Sequence, residues 1–237
     1  MSADFNLNGL VLQRKDVGES DRLLTLLTEE RGKFQIYAKG ARKAGSRLAG
    51  STEPFTLANF QVAEGRYRNF LRQAQIINNF SGLRTDYDKL STAISLAELT
   101  IAFTEFDKTD PDLFKLIIHA LDYLVERSNP KLVLIWTGLK MMENEGVSPH
   151  WITCSSTQKD LEEAEPLVSP SAGGYVSATC KNHYTDVFRT KAEVLIALHK
   201  LSGLGEPPNN LKLTDHCYSV FMKFGEYIAH RSFKSFR

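Results

Sequence analysis

Near Asn79 the spacing of apolar residues changes from every second position to every third or fourth, and a chain with that switch must build two kinds of structure. Before it, FNLNGLVLQ sets Leu10 and Leu12 on one face and Val11 on the other. RLLTLLT is a short apolar run that ends at the turn signal EERGK. In FQIYAKG, Phe34, Ile36 and Ala38 alternate with Gln35, Tyr37 and Lys39. FTLANFQVAEG places Phe60 and Val62 on one side, and NFLRQAQII completes a fifth run. Five short period-2 segments joined by glycine-bearing turns predict a small closed barrel.

After Asn79 the period is helical. Leu90, Ile94, Ala97 and Ile101 recur at steps of four, three and four. Asp110-Pro111 supplies an N-cap with proline at the first helical position, ahead of Leu113, Leu116, Ile117, Ala120 and Leu124. Asn129-Pro130 repeats the device and opens a helix through Met142. Residues 147–186 break the period and are rich in Ser, Thr, Pro and Gly, so they read as an irregular or hairpin-bearing insertion. Thr190 with Glu193 predicts a capping box ahead of Val194, Leu195, Leu198 and Leu201. Cys217, Val220, Phe221, Phe224 and Ile228 mark a last helix. The fold class expected is α+β, with a barrel over 1–80 and a helical region over 81–237.

The formal charge of the 237 residues is only +1, but it is unevenly spread. From Arg31 to Arg72 nine bases face two acids, Glu53 and Glu64, a balance of +7 that leaves −6 for the rest. Such asymmetry points the first third toward a polyanion. Its centre is FQIYAKGARKAGSRLAG, residues 34–50, where Lys39, Arg42, Lys43 and Arg47 fall within nine positions. Gly40 and Gly45 remove side chains there, so backbone amides can approach phosphates. A second cluster, GRYRNFLRQ, carries Arg66, Arg68 and Arg72, read as sharing one face of a strand with Tyr67 on the other. Tyr37, Tyr67 and Phe70 are the candidates to stack on bases, with at least one of them expected in the core. From the residues alone, DNA, RNA and an acidic protein all remain as partners. The three cysteines, Cys154, Cys180 and Cys217, and the absence of a secretory pattern or a long apolar run predict an intracellular chain with reduced thiols.

Gly9 to Leu12, Glu19-x-Asp21-x-Leu23, Thr28-Glu29, Gly32, Ala38-Lys39-Gly40-Ala41-Arg42 and Pro54-Phe55 follow one another in the first 60 residues. In that order they resemble the RecO family of bacterial recombination mediators. The likeness continues more thinly through Gly146-Val147 and Gly173-Gly174 to Lys234–Arg237. The resemblance implies an N-terminal OB-fold and a helical domain with a zinc-ribbon-like insertion. It implies binding of single- and double-stranded DNA, strand annealing, and recombinase loading together with RecR and the C-terminal tail of single-strand binding protein. It places the protein in the bacterial cytoplasm at the nucleoid, with no covalent chemistry. On that basis Lys39, Arg42, Lys43 and Arg47 are expected to contact DNA, joined by Arg66, Tyr67, Arg68 and Arg72.

Two departures from the family pattern stand out. Where members carry four cysteines for one zinc, this chain has Cys154, Thr157, Ser177 and Cys180. Hydroxyls are poor zinc ligands, so the metal is expected to be lost. A Cys2His2 set drawn from His150, Cys154, Cys180 and His183 is the other arrangement the spacing allows. In the helix that docks the tail, Val133-Leu134-Ile135-Trp136 replaces the family's arginine and aromatic–acid pair. That moves any carboxylate-binding charge to Arg127, Lys131 or Lys140, or leaves those three as a solvated face, with Trp136 in the core. The glutamates, the scattered histidines and His216-Cys217 form no catalytic pattern, and neither a P-loop nor a G-x-S-x-G elbow is present. No enzymatic activity is expected.

Overall fold

The computed structural model describes residues 4–127, 129–230 and 232. The likeness at Lys234–Arg237 lies outside them. The chain divides into two compact units, Met1–Val125 and Glu126–Arg237. The first holds five strands and two helices: β1 (Asp4–Val17), β2 (Asp21–Thr28), β3 (Gly32–Ala38), β4 (Leu57–Ala63), β5 (Phe70–Asn78), α1 (Tyr87–Phe103) and α2 (Pro111–Glu126).

The strands close into a barrel of order β1-β2-β3-β5-β4. All ladders are antiparallel except β3–β5, which run parallel through Tyr37 and Phe70. A five-stranded barrel with this crossover is OB-fold-like. Its interior is filled by Leu7, Val11, Leu24, Leu26, Phe34, Ile36, Ala38, Ala58, Phe60, Val62 and Leu71. Alternation thus decides the inward set on β3 and β4, and each large side chain so buried contributes about 1.5–3 kcal/mol. On β1 the register slips between Val11 and Gln13, and Leu10, Val11 and Leu12 are all buried. A bulge there breaks strict alternation.

The helices follow their caps more closely than their stripes. Asp110 accepts from the Leu113 amide at 2.9 Å, and Pro111 opens α2. On α1 the buried face runs through Thr92, Ala93, Leu96, Leu99 and Thr100, while Ile94 is exposed. The hydroxyls explain the shift: Ser95 donates to Ser91 O at 3.0 Å and Thr100 to Leu96 O at 2.8 Å. Satisfied within their own helix, they can face the core. Lys33, also buried, donates to the Ile101 carbonyl at 2.9 Å and to that of Thr104, and lies 4.6 Å from the Phe106 ring. A cation at the C-terminal end of α1 matches the helix dipole.

The second unit contains α3 (Pro130–Asn144), a three-stranded sheet of β6 (Leu167–Ser169), β7 (Gly174–Val176) and β8 (Phe188–Arg189), then α4 (Ala192–Ser202) and α5 (Thr214–Ile228). The β6–β7 hairpin lies inside the irregular stretch. Asn129 caps α3, accepting from Leu132 N at 3.4 Å. Trp136 is buried and donates its indole N–H to Leu204 O at 3.0 Å. The capping box at Thr190 and Glu193 does not form: α4 starts after Lys191 without a side-chain cap. The Ala192 amide is instead bonded to Ala164 O at 2.9 Å, a long-range partner that spacing alone cannot reveal.

Candidate nucleic-acid interface

The basic loop, residues 39–49, is stapled at both ends. Asp21 accepts from the Gly40 amide at 2.8 Å, and the Arg42 amide donates to Ser20 O at 2.9 Å. That bond from Gly40, aided by Lys39 and Lys43, holds the Asp21 carboxyl below its ordinary range. Gly40 sits at φ +66°, a conformation in which a side chain is strained. The turns then follow one another: Lys43 N to Gly40 O, Ser46 N to Lys43 O, and Ala49 N to Ser46 O. At the far end Arg22 donates to Ala49 O at 3.2 Å and to Thr52 Oγ1 at 2.6 Å, and pairs with Glu53 at 3.1 Å. Arg22 and Asp21 are positioning residues that sequence reasoning missed; both open β2 just after the β1–β2 turn, and only the fold shows that they reach the far side of the loop.

The cations this loop presents are exposed. Arg42 is the exception in being paired, with Asp16 at 3.4 Å, on a side chain about one-third exposed. An exposed pair of this kind contributes only about 0.2–1 kcal/mol, so it does not withdraw Arg42 from a polyanion. Lys39 lies 4.5 Å from the Phe70 ring.

Arg66 and Arg68 do not lie on a strand, contrary to the reading of alternate positions. β5 begins at Phe70, and residues 64–69 form the β4–β5 loop. A Cβ on Gly65 would meet the Arg68 carbonyl oxygen at 2.4 Å, so the chain turns back too tightly there for a ladder. Arg72 alone of the three is on β5, where the register shifts between Gln61 and Val62, and it is exposed. Tyr67 is 83% exposed, with the Arg66 guanidinium 5.2 Å from its ring.

The parallel step of β3 on β5 assembles the rest. Tyr37 and Phe70 pair directly, with ring centroids 6.1 Å apart. Arg68 stands 4.8 Å from Tyr37 and Lys39 4.5 Å from Phe70, giving a row of cation, ring, ring, cation. Both rings are half-buried, so none of the three stacking candidates is a full core residue. OB-folds take oligonucleotides on the β2–β3 face and the β1–β2 and β4–β5 loops; of this row, Tyr37 is on β3 and Arg68 in the β4–β5 loop. Not every base in the positive window serves it: Lys33 is spent on α1, and Arg31 covers Phe5 and Phe34 at 4.5 and 5.3 Å.

In the insertion, Cys154, Thr157, Ser177 and Cys180 occupy the positions singled out in the sequence. The buried Cys154 Sγ accepts the Ser177 amide at 3.3 Å. Burial pushes that thiol up, but hydrogen bonds from Thr157 and Ser177 outweigh it and bring it down to about 6. Cys180 packs with Leu167 and Val176, its sulfur 3.8 Å from Thr179 Oγ1. One sulfur ringed by amide and hydroxyl donors is a hydrogen-bonded knot, and the residues do not fit a tetrahedral zinc. Among the described residues no three His, Cys, Asp or Glu side chains gather as a metal site. The cations considered for a carboxylate tail are all engaged within their own unit: Arg127 with Glu206 at 2.9 Å, Lys131 with Asp215 at 2.6 Å, and Lys140 with Glu143 at 2.9 Å.

An OB-fold-like barrel with a cationic, aromatic-bearing face, followed by a helical region, defines an α+β protein of the OB-fold class. Comparison makes the assignment specific. The family model for the recombination protein O N terminal matches residues 1–80, and that for its C terminal matches 84–215. The chain belongs to the RecO family. It is 35% identical over 177 residues to the DNA repair protein RecO of Desulfitobacterium hafniense, covering 75% of this chain and 64% of that protein, so under two thirds of that relative is spanned. It is 27% identical to the RecO of Desulforamulus reducens over 98% of this chain and 92% of the relative. With the RecO of Gloeobacter violaceus it shares 30% over 87% and 80%. No helix among the described residues is long and apolar enough to cross a membrane.

Proposed function

We propose that this protein acts in DNA repair and recombination, binding single- and double-stranded DNA through the barrel face and annealing complementary strands. The observation that carries the reading is the row Arg68–Tyr37–Phe70–Lys39 on the outer surface of the barrel. Lysines and arginines neutralise backbone phosphates without reading sequence. Aromatic faces beside them stack on unpaired bases, a contact that tolerates any base. Lys39, Arg42, Lys43, Arg47, Arg66, Arg68 and Arg72 supply charge, and Tyr67, the most exposed of the three candidate rings, supplies stacking. Strands held by their backbones keep base edges free to pair.

The mediator role, loading a recombinase with RecR onto strands coated by single-strand binding protein, belongs to the same reading and rests on family membership. No covalent step is involved, the protein works in the cytoplasm at the nucleoid, and the insertion is held by its hydrogen-bonded knot with no metal. Competition between DNA and RNA oligonucleotides of one sequence tests the reading, alongside the annealing rate of complementary strands. DNA should compete at least as well as RNA, and annealing should quicken. Preference for RNA, or an unchanged annealing rate, contradicts it. Elemental analysis should find no stoichiometric zinc; one zinc per chain would refute the metal-free insertion.

A further inference from the structure

The second unit carries a cationic cleft that none of the contacts above uses. It is a cavity of about 280 Å³ between the β8–α4 connection and α5. Arg189, Lys191 and Lys223 line it, with the hydroxyls of Thr190 and Ser219 between them. All three cations are exposed, and among the described residues none forms an ion pair. The contrast with Arg127, Lys131 and Lys140, each paired with a carboxylate, is what singles the cleft out. Lys223 is held in place, its ammonium 3.7 Å from the Phe188 ring. Against three fixed positive charges the lining offers one carboxylate, Glu165, and one imidazole, His216.

We propose that this cleft is a second DNA contact that grips backbone phosphates. Three cations interleaved with two hydroxyls are the side chains that bind phosphate oxygens. At about 280 Å³ the cavity lies at the small end of ligand sites. A peptide ligand would need an apolar slot for its side chains, and the ring available here, Phe188, is already covered by Lys223. Contacts to phosphate oxygens carry no sequence information, so the cleft would hold DNA without reading it. Its role follows from arithmetic: a chain with a backbone contact in each unit can hold two stretches of DNA at once and raise the effective concentration of one strand near another. This inference rests on the barrel binding DNA.

The test uses the full chain and the triple variant Arg189→Gln/Lys191→Gln/Lys223→Gln, whose fold is checked by an unchanged thermal midpoint. Each single-strand phosphate contact contributes about 0.7 to the slope of log K against log[salt]. The variant should lose up to about 2 of that slope and anneal complementary oligonucleotides at least tenfold more slowly. Ser219→Lys adds a cation to the same wall and should steepen the slope by about 0.7, a gain that misfolding cannot imitate. Inorganic phosphate should shift the His216 ring signals in nuclear magnetic resonance of the unaltered chain, and excess oligonucleotide should displace it. DNA binding with slope and annealing rate unchanged in both variants overturns the second contact while leaving the barrel reading intact. An acidic peptide that binds here when DNA does not also overturns it. An unaltered chain that binds no DNA overturns both readings.

Discussion

Lys33 lies in the most basic stretch of the chain, yet its position says it serves the fold rather than the interface. Replacing it with methionine keeps most of the side-chain volume while deleting the ammonium. The substitution removes donors from the carbonyls of Ile101 and Thr104 and a cation 4.6 Å from Phe106. A carbonyl deprived of its partner costs about 1–3 kcal/mol when buried, and a desolvated cation–π contact contributes about 1–2 kcal/mol. Ile101 and Thr104 are only half-buried, so water can reach part of what is lost, and the new thioether packs where a charge had to be desolvated. The net expectation is a loss of about 2–3 kcal/mol. Urea unfolding followed by circular dichroism measures it as a lower midpoint at an unchanged denaturant slope. The same variant should keep the salt dependence of DNA binding, because the ammonium it removes faces α1. A stability change under about 0.5 kcal/mol, or a flatter salt slope, would refute the assignment of Lys33 to the fold.

Tyr67→Ala should weaken single-strand binding by about 1–3 kcal/mol, the usual range for one stacked base, with no change in the unfolding midpoint since the ring is 83% exposed; fluorescence anisotropy decides it. Cys154 should make the second unit more stable as pH rises. Its thiol is brought down to about 6 in the folded chain against roughly 8.5 unfolded. The contribution is therefore complete above about 8.5 and lost as pH falls through about 6. Thermal unfolding across that window should show the trend in the native chain and its absence in Cys154→Ser.

Much of the first unit was legible because its signals are local. The alternation of Phe34, Ile36 and Ala38 requires only a pleated backbone, and Asp110-Pro111 and Asn129-Pro130 need only the next turn of helix. Errors arose where a distant atom decided. Arg66 and Arg68 alternate like strand residues, but alternation does not register that Gly65 folds the chain onto the Arg68 carbonyl. Thr190 and Glu193 spell a capping box whose helix starts elsewhere because Ala164 takes the amide of Ala192. On α1, Thr and Ser hydroxyls bonded four residues back look polar in the sequence and are buried in the fold. The loop cations could be named at once, since charge density is visible in one dimension. The row of Arg68, Tyr37, Phe70 and Lys39 could not, because it depends on a parallel pairing between strands more than thirty residues apart.

The most direct measurement is a titration of a fluorescent single-stranded oligonucleotide at several salt concentrations, with the unaltered chain and with Lys39→Ala/Arg42→Ala/Lys43→Ala. Neutralisation of at least about five phosphates predicts a slope of log K against log[salt] of about −3.5 or steeper for the former, and about 2 units shallower for the latter. Equal slopes in the two proteins would show that DNA is held somewhere other than the cationic face of the barrel.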